Sequence, residues 1–317
     1  MTRILREADV LRVIDMDSVI VAVAAAMREL GEGTAQNEPR RRAFAPGALL
    51  NVMFATYPGA DCMGSKTYSV SRGEVRFLVS VFGLDGALRA LIEADNLGAY
   101  RTGAATGVAA KALARPGPVV VGLIGTGHQA RTQALALARA LEVSEMRVFG
   151  RDAGRRDEFV AERSEALGVR VVAASGAEEA VRDADVVVTM TTSSTPVLES
   201  AWVKDGALVV GAGSNFPNRA EIPSDLVARA HTVVVDQMAT ARLESGDLLS
   251  AEKDGKFDWA RATELGTVLA GGARPAAEAA GITLFESHGL ALWDLAAASA
   301  VLPKAIAQGL GEEVALF

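Results

Sequence analysis

The sequence predicts an α/β protein in which a doubly wound sheet is inserted into a discontinuous α+β domain. The first observation is a series of short apolar strands that alternate with helical patterns between residues 119 and 236. The second is an earlier region of short apolar runs, separated by turn dipeptides such as Pro46-Gly47 and Pro58-Gly59, which is typical of antiparallel hairpins. The third is the alanine-rich helical pattern of residues 290–308.

The first predicted helix spans residues 17–31, where apolar residues recur at helical spacing. Asp17 is the predicted N-cap, and Gly31 is predicted to end the helix. Apolar runs broken by turn residues then predict antiparallel strands, and an alanine- and glycine-rich pattern predicts a helix that Pro116-Gly117-Pro118 stops. The strands are assigned to residues 40–57 and 64–83, and the helix to residues 102–114.

From Val119 onwards the pattern changes to strands that alternate with helices. Val119–Ile124 is a continuous apolar run, as expected for a strand of a parallel sheet that is covered on both faces. A helix follows at residues 130–141, and further strands are predicted at residues 146–149, 169–173, 185–190, 207–211 and 232–236. This alternation predicts a doubly wound domain over residues 118–285, with residues 1–117 and 286–317 forming one second domain.

The sequence Gly125-Thr126-Gly127-His128-Gln129-Ala130, which we call the glycine loop, stands directly between the first of these strands and the next helix. In this position Gly125 allows a tight turn, Gly127 lets the backbone approach a pyrophosphate, and Ala130 permits close packing of helix on sheet. The N–H groups at the start of the helix attract an anion. The loop therefore predicts a Rossmann-type site for a nicotinamide dinucleotide, with all six residues at the cofactor. The alternative is a glycine-rich turn in another kind of α/β protein.

The end of the second strand bears on the choice between NADP(H) and NAD(H). NAD-binding domains usually place an acidic residue there to bind the ribose 2′-hydroxyl, whereas this chain has Gly150 followed by Arg151. A guanidinium can pair with a 2′-phosphate, so the sequence favours NADP(H), with Gly150 and Arg151 at the site. NAD(H) is the alternative, with Asp152 on the ribose. Thr189 and Thr191, after the fourth strand, are predicted to line the cofactor.

The composition argues against several other classes of function. The formal net charge is −7 and the one tight basic run is Arg40-Arg41-Arg42, so a general nucleic-acid partner is not expected. A single cysteine rules out a disulfide within the chain and fits a reducing compartment. The three histidines lack zinc-ligand spacing with that cysteine, so no metal is expected. The sequence shows no signal peptide and no run that could span a membrane, and it predicts a cytoplasmic protein.

Several short motifs occur in order along nearly the whole chain. They are Arg101-Thr102-Gly103-Ala104-Ala105-Thr106-Gly107, the glycine loop, Gly213-Ser214-Asn215-x-Pro217, Arg219-x-Glu221, Glu244-x-Gly246-Asp247 and Ile282-Thr283-Leu284-Phe285-x-Ser287-x-Gly289. Together they resemble the ornithine cyclodeaminase/mu-crystallin family. The resemblance implies a Rossmann domain inserted into a substrate and dimerisation domain, a homodimer, and NAD(P)H-dependent hydride exchange at the α carbon of a small L-amino acid or α-imino acid. Ketimine reductases, pyrroline-2-carboxylate reductases and amino-acid dehydrogenases all fit this description.

The resemblance also implies roles for individual residues. Arg101 matches the family arginine that grips the substrate carboxylate, which suits the forked geometry of a guanidinium. Lys66 matches the family lysine near the reacting nitrogen and carboxylate, and burial can lower the pKa of a lysine enough for it to move protons. The basic run matches a second carboxylate-binding arginine. Strand alternation places Arg40 and Arg42 on one face, so either can fill that role. Thr102, beside Arg101, is assigned to cofactor binding.

The sequence departs from the family pattern at Asn215. Cyclodeaminases carry a proton-handling aspartate at this position, whereas an amide cannot hold a proton at neutral pH. Asn215, with Ser214 beside it, can still hydrogen-bond the substrate or the nicotinamide, or it is only a turn residue. The alternatives to an oxidoreductase are a cyclodeaminase-type ammonia lyase with bound NAD and a non-catalytic dinucleotide-binding protein. His288 is either a cofactor contact or a packed histidine, and Asp294 is predicted to be structural.

Overall fold

The computed structural model describes residues 1–271 and 281–316 of the 317-residue chain. The strands are β1 (Thr2–Leu5), β2 (Gln36–Ala45), β3 (Ala48–Tyr57), β4 (Cys62–Ser71), β5 (Glu74–Gly83), β6 (Leu88–Glu93), β7 (Val119–Ile124), β8 (Val143–Phe149), β9 (Val171–Ala173), β10 (Val186–Thr189), β11 (Leu208–Gly211), β12 (Ala230–Val235), β13 (Ala262–Glu264), β14 (Ile282–Glu286) and β15 (Glu312–Val314). The α-helices are α1 (Glu7–Val13), α2 (Met16–Glu32), α3 (Asp95–Leu113), α4 (His128–Ala140), α5 (Ala153–Leu167), α6 (Ala177–Val181), α7 (Ser224–Arg229), α8 (Met238–Glu244), α9 (Gly246–Lys253), α10 (Leu265–Leu269) and α11 (Ala291–Ala307).

The chain forms two compact units. The first consists of Met1–Ala104 and Leu290–Phe317, and the second consists of Ala105–Gly289. Helix α3 belongs to both, because the division falls inside it, between Ala104 and Ala105. The domain boundaries that the sequence predicts after residues 117 and 285 stay a prediction.

A seven-stranded sheet forms the framework of the first unit. Its strand order is β15-β1-β6-β5-β4-β3-β2. Strands β2 to β6 pair antiparallel with their neighbours in the chain, as the turn-separated apolar runs predict, whereas β1 pairs parallel with β6. Helices α2 and α11 pack against each other, and α11 also packs against β3 and β4. This packing buries one face of the sheet, where Met53, Val79 and Ile92 are almost completely covered.

Several predicted helices differ from the structure at their ends; the helix predicted at residues 130–141, for example, is α4 (His128–Ala140). Helix α2 begins after Asp15 rather than Asp17, because the Asp15 carboxylate accepts a backbone N–H three residues further on at 2.9 Å. The helix also continues past Gly31 and ends at Gly33, whose φ of 79° is the left-handed conformation that favours glycine. Helix α3 begins at Asp95, several residues before its predicted start.

The second unit contains the predicted doubly wound sheet. Its described strands lie in the order β13-β12-β14-β11-β10-β7-β8-β9, and the pairings between them are parallel. The strand order reverses between β7 and β10, which is the switch point where such sheets bind ligands. Strand β14, which the sequence pattern does not predict, lies between β11 and β12. Its five residues include only three apolar ones, and so short a segment has too little periodicity to tell a strand from a buried helix.

Candidate active site

The first unit brings together Lys66, Arg101 and Asp294, which we call the Lys66 cluster. Lys66 Nζ lies 2.9 Å from Asp294 Oδ1, and Arg101 Nε lies 3.2 Å from the same oxygen. The three residues are only 3%, 7% and 1% exposed. Within the cluster, two buried cations thus share one carboxylate. Buried charges are stable when they are paired, so an anionic ligand would complete the balance of charge.

Three elements that are distant in sequence supply the cluster. Lys66 lies on the buried face of β4, opposite Met53 of β3. Arg101 lies on α3, with its guanidinium carbon 5.6 Å from the centroid of the Trp293 ring. Asp294 lies in the first turn of α11. One strand and two helices therefore set the geometry of the cluster, rather than any local motif.

Burial has a chemical consequence for Lys66. Burial lowers the pKa of Lys66 from 10.5 to about 8; the charges of Arg101 and Arg40 add to this effect, and Asp294 opposes it. A lysine with this pKa can both hold and release a proton near neutral pH. The amine also needs space, because a Cβ at Gly98 would lie 2.7 Å from Lys66 Nζ.

The basic run lies on β2 and alternates as predicted. Arg40 is buried, Arg41 is exposed and Arg42 is half-buried. The guanidinium carbon of Arg40 lies 5.9 Å from the centroid of the Tyr68 ring, two residues along β4 from Lys66. Arg40 and Arg42 therefore share a sheet face with Lys66. That one of these two arginines contacts the substrate carboxylate stays a prediction, and the choice between them stays open.

In the second unit, the glycine loop connects β7 to α4. Gly125 has a φ of +123°, and a Cβ there would lie 2.1 Å from the Met190 carbonyl oxygen, so the position requires glycine. Gly127 is the N-cap of α4, and a Cβ there would meet nothing within 4 Å. Open space therefore lies beside the first N–H groups of the helix, while Ala130 is fully buried. These features fit the pyrophosphate of a dinucleotide.

The residues after β8 lie close to the glycine loop. A Cβ at Gly150 would lie 2.8 Å from the Thr126 side chain, so a larger residue does not fit there without movement. The Asp152 carboxylate accepts the backbone N–H of Arg155 at 3.0 Å and caps α5. Arg151 is exposed. Asp152 is the alternative ligand of the ribose, but one of its carboxylate oxygens is already used to cap α5. The side chain of Arg151, in contrast, is exposed to solvent.

A buried carboxylate, Glu221, joins the ends of β10 and β11. It accepts the backbone N–H of Thr191 at 2.7 Å and that of Gly213 at 2.8 Å. It also accepts hydrogen bonds from the hydroxyl of Thr191 at 2.6 Å and from that of Thr189 at 3.3 Å. Burial raises the pKa of Glu221, although these hydrogen bonds oppose the effect. Both threonine hydroxyls thus have partners inside the protein, and their contact with a cofactor stays a prediction.

His288 belongs to a second buried network, just after β14. Its ring Nδ1 lies 3.3 Å from Asp236 Oδ1, and its Nε2 lies 3.5 Å from Glu286 Oε2. Asp236 also accepts the backbone N–H of His288 at 2.7 Å. Burial by itself would lower the pKa of His288, but the charges and hydrogen bonds of Asp236 and Glu286 raise it to about 10. These contacts match the packed alternative for this residue, and a cofactor contact stays a prediction.

The other predicted residues lie on α3, in the loop after β11 and at the start of α4. Thr102 is buried, and its hydroxyl donates to the Gly98 carbonyl at 2.8 Å. Ser214 Oγ accepts the Phe216 backbone N–H at 3.3 Å, and Asn215 is half-buried in the same loop. Contact with substrate or cofactor stays a prediction for these residues and for two exposed residues, His128 and Gln129.

Two carboxylates organise these clusters in a way that the sequence pattern does not reveal. Asp294, which the sequence predicts to be structural, is the shared partner of both cations in the Lys66 cluster. The Arg219-x-Glu221 motif gives no sign of the backbone groups that Glu221 binds. The partners of Asp294 are 193 and 228 residues away in sequence, so no local pattern could reveal the contact.

Comparison with known proteins places these features in a family. A profile of the ornithine cyclodeaminase/mu-crystallin family matches residues 1–309. The chain belongs to this family. It is 38% identical over 264 residues to a Δ1-pyrroline-2-carboxylate/Δ1-piperideine-2-carboxylate reductase of Azospirillum brasilense, covering 81% of this chain and 75% of that protein.

Solved structures of family members superpose along the whole chain. The Thermococcus litoralis Δ1-pyrroline-2-carboxylate reductase in complex with NADH and L-proline has a TM-score of 0.91 and 29% identity, covering 99% of this chain and 100% of that one. An archaeal alanine dehydrogenase dimer with bound NAD has a TM-score of 0.92 and 30% identity, covering 100% and 99%. The resemblance, the fold class and the activity class, an oxidoreductase of the ornithine cyclodeaminase type, are confirmed.

The described residues show neither a membrane-spanning helix nor a cluster of metal ligands. Among the described residues, no helix is both long enough and apolar enough to cross a bilayer. Among the same residues, no group of three or more His, Cys, Asp or Glu side chains is arranged to hold a metal ion. The predicted cytoplasmic location stays a prediction.

Proposed function

We propose that this protein is an NAD(P)H-dependent reductase that converts a small cyclic α-imino acid, of the Δ1-pyrroline-2-carboxylate type, into the corresponding L-amino acid. The observation that carries the proposal is the Lys66 cluster, in which two buried cations share one carboxylate. Such a cluster accepts the carboxylate of an imino acid at low cost. Relatives named for this reaction support the choice of substrate class.

In this proposal each residue of the cluster has a separate task. Arg101 binds the substrate carboxylate, assisted by Arg40 or Arg42. Lys66 orients the carboxylate and holds a proton for the imine nitrogen, which its lowered pKa permits. Asp294 positions both cations. The dinucleotide supplies the hydride when it is bound, and fixed orientation and charge complementarity supply much of the acceleration.

We assign the glycine loop to the cofactor pyrophosphate and favour NADP(H) over NAD(H). The support is the exposed guanidinium of Arg151 beside Gly150, together with the capping hydrogen bond that occupies Asp152. A guanidinium can pair with a 2′-phosphate, whereas an aspartate would repel it. The solved relatives named above contain NADH or NAD, and the Arg151→Asp variant described below tests the preference of this chain.

An ammonia lyase is disfavoured by Asn215. An amide cannot take up the proton that cyclodeamination requires, so reduction of an imine is the simpler chemistry for this site. The third alternative is a protein that binds the dinucleotide without turnover. The buried and paired Lys66 and Arg101 argue against that alternative, because burying two cations is unfavourable unless a ligand uses them.

The decisive experiment follows oxidation of NADPH and NADH by absorbance. The substrates are Δ1-pyrroline-2-carboxylate, Δ1-piperideine-2-carboxylate, and pyruvate with ammonia or methylamine. We expect rapid oxidation with at least one cyclic imino acid. Ammonia release from ornithine without net change in the dinucleotide would instead show a lyase. Thermal stabilisation by the dinucleotide with no turnover on any substrate would show a binding protein.

We also propose that the protein is a homodimer. The face of the first sheet that lies opposite the Lys66 cluster carries Leu50, Phe54 and Leu78, which are 44%, 49% and 42% exposed. Pairing registers place these residues on one surface, around Val52. Large apolar side chains grouped on an open sheet face are typical of an interface between subunits. The archaeal relative that is described as a dimer supports the same assembly.

A further inference from the structure

Asn51 is a completely buried asparagine whose side chain makes no hydrogen bond within the described residues. Its exposure is 0%, and neither Oδ1 nor Nδ2 has a partner. An asparagine amide offers two donors and one acceptor, and burying all of them unpaired is unfavourable. Native structures rarely keep such a group unless a ligand or an ordered water completes its hydrogen bonds.

Asn51 lies on the same sheet face as the Lys66 cluster. In the antiparallel register, Asn51 of β3 is opposite Arg42 of β2 and Tyr68 of β4. Lys66 is two residues from Tyr68 and is therefore a diagonal neighbour of Asn51, at a Cα separation of about 7–8 Å. A small substrate held by Lys66 can span that distance.

Two aromatic residues, Phe77 and Tyr68, lie next to Lys66 and Asn51 in the sheet. Lys66 Nζ lies 4.9 Å from the centroid of the Phe77 ring, and Phe77 is opposite Tyr68. The guanidinium carbon of Arg40 lies 5.9 Å from the Tyr68 ring centroid. Two aromatic rings and a second cation therefore accompany Lys66 and Asn51 on this face, and cations such as Lys66 and Arg40 attract an oxygen-bearing group.

We propose that Asn51, with Tyr68 opposite it and Arg40 near the Tyr68 ring, binds an oxygen-bearing substituent on the substrate side chain. The enzyme would accordingly prefer an α-imino acid with a hydroxyl or carboxylate substituent to its unsubstituted analogue. This inference rests on the proposed function, because it concerns the same substrate site. The inference goes beyond the proposed function because it names the residue that selects among substrate side chains.

The chemistry of the subsite excludes other substituents. The amide Nδ2 donates to a hydroxyl or carboxylate oxygen, and a hydroxyl can also donate to Oδ1. An apolar side chain would leave the amide unpaired, and sites built for hydrogen bonding reject analogues that lack the partner. A positively charged side chain, such as that of ornithine, would be repelled by Arg40 and Lys66.

Two asparagine-to-leucine variants separate binding from folding. Leucine resembles asparagine in size and lacks polar atoms. Asn51→Leu removes an unpaired amide, so we expect the ligand-free variant to melt at the same temperature as the native protein or higher. Asn37→Leu is the matched control, on the neighbouring strand. Asn37 Oδ1 accepts the Leu292 N–H at 3.1 Å and Nδ2 donates to the Glu38 carbonyl at 3.3 Å, so this variant should melt lower.

The selectivity is measured with two pairs of amino-acid products. Melting temperatures are recorded with NADP⁺ and L-proline against 3- or 4-hydroxy-L-proline, and L-alanine against L-aspartate. Reduction of the corresponding imino acids is measured in parallel. We expect the native protein to favour the oxygen-bearing member of one pair by roughly tenfold or more. Asn51→Leu should reduce the ratio between the two members of that pair to about one.

Each result has one interpretation. Preference for hydroxyproline identifies a hydroxyl, and preference for aspartate identifies a carboxylate bound with the help of Arg40. The proposal is overturned if Asn51→Leu melts as low as Asn37→Leu, because Asn51 then has a structural partner. It is also overturned if the native protein prefers neither substituted ligand. Absence of reduction on every imino acid would overturn the proposed function instead, and the melting measurements would still report on Asn51.

Discussion

At the scale of single residues, Lys66 shows how burial and pairing together set chemistry. Burial lowers the pKa of the amine and the charge of Asp294 opposes that effect, so the pKa of Lys66 is about 8. Lys66 is therefore mostly protonated below pH 8 and loses its charge as the pH rises through that value. A group that must hold a carboxylate and deliver a proton is most effective on the acidic side of its pKa.

This pKa gives a testable pH profile. We expect kcat/KM for imino-acid reduction to fall as the pH rises above about 8, because Lys66 becomes neutral. In Lys66→Arg the charge persists over the whole range, so the alkaline fall should disappear even if the rate is lower. Steady-state kinetics from pH 6 to roughly pH 10 will measure both profiles. An identical alkaline limb in the variant would assign the titration to another group.

Gly98 provides a test of how the amine is positioned. A Cβ at this position would lie 2.7 Å from Lys66 Nζ, so Gly98→Ala must displace the amine from Asp294. We expect kcat/KM to fall roughly 10- to 100-fold, since a misplacement of about 1 Å has that effect. The melting temperature should change little, because alanine favours helix α3 more than glycine does. The dissociation constant of NADPH is the internal control and should be unaltered; a parallel loss of cofactor binding would contradict this explanation.

Arg151 tests the choice of cofactor. A hydrogen bond to a charged group contributes about 1.5–3 kcal/mol, so Arg151→Asp should weaken NADPH binding by roughly 10- to 100-fold. Binding of NADH should weaken far less. The matched control is Arg155→Asp, an exposed arginine of the following helix. If the ratio of the two dissociation constants changes equally in both variants, Arg151 does not recognise the 2′-phosphate.

At the scale of elements, the segment from β14 to α11 is fastened by a buried ionic network. Asp236 accepts the backbone N–H groups of His288 and Gly289 as well as facing the His288 ring. The segment therefore follows the end of β12, where Asp236 lies.

The network predicts a pH dependence of stability. The pKa of His288 is raised from 6.5 to about 10, so its stabilising contribution is complete below pH 6.5 and is lost as the pH rises through 10. The melting temperature of the native protein should thus fall more steeply between these values than that of His288→Gln. The control is His231→Gln, at an exposed histidine. If the buried variant does not fold, Asp236→Asn should reduce the same slope; equal slopes in all proteins would refute the assignment.

Prediction from sequence succeeded for elements with strong local signals. The glycine loop lies between an apolar strand and a helix, and the hairpins are separated by turn dipeptides, so pattern alone located them. It was less accurate for the end of helix α2, where Asp15 and Asp17 are both suitable caps and only tertiary context chooses. It missed Asn51, because a buried asparagine on a strand looks like any polar position until its neighbours are known.

At the scale of the whole molecule, the prediction that can be measured is the oligomeric state. We expect the native protein to be a dimer in solution and the double variant Phe54→Lys/Leu78→Lys to be a monomer, because charges on that sheet face oppose association. Light scattering after size-exclusion chromatography gives the mass of each. Phe44→Lys is the control, since Phe44 is 75% exposed and its pairing with Leu49 places it on the other face. A monomeric native protein would contradict the proposed assembly.

The order of strands in the second unit also has a consequence for biosynthesis. Strand β14 fills the gap between β11 and β12, although the ribosome makes it after both of them. Until residue 286 has emerged, the nascent chain holds two incomplete pieces of sheet, each with an unpaired edge. The domain therefore completes its folding only after β14 has been synthesised, and a product that ends before residue 282 would keep these edges exposed for chaperones to hold or proteases to remove.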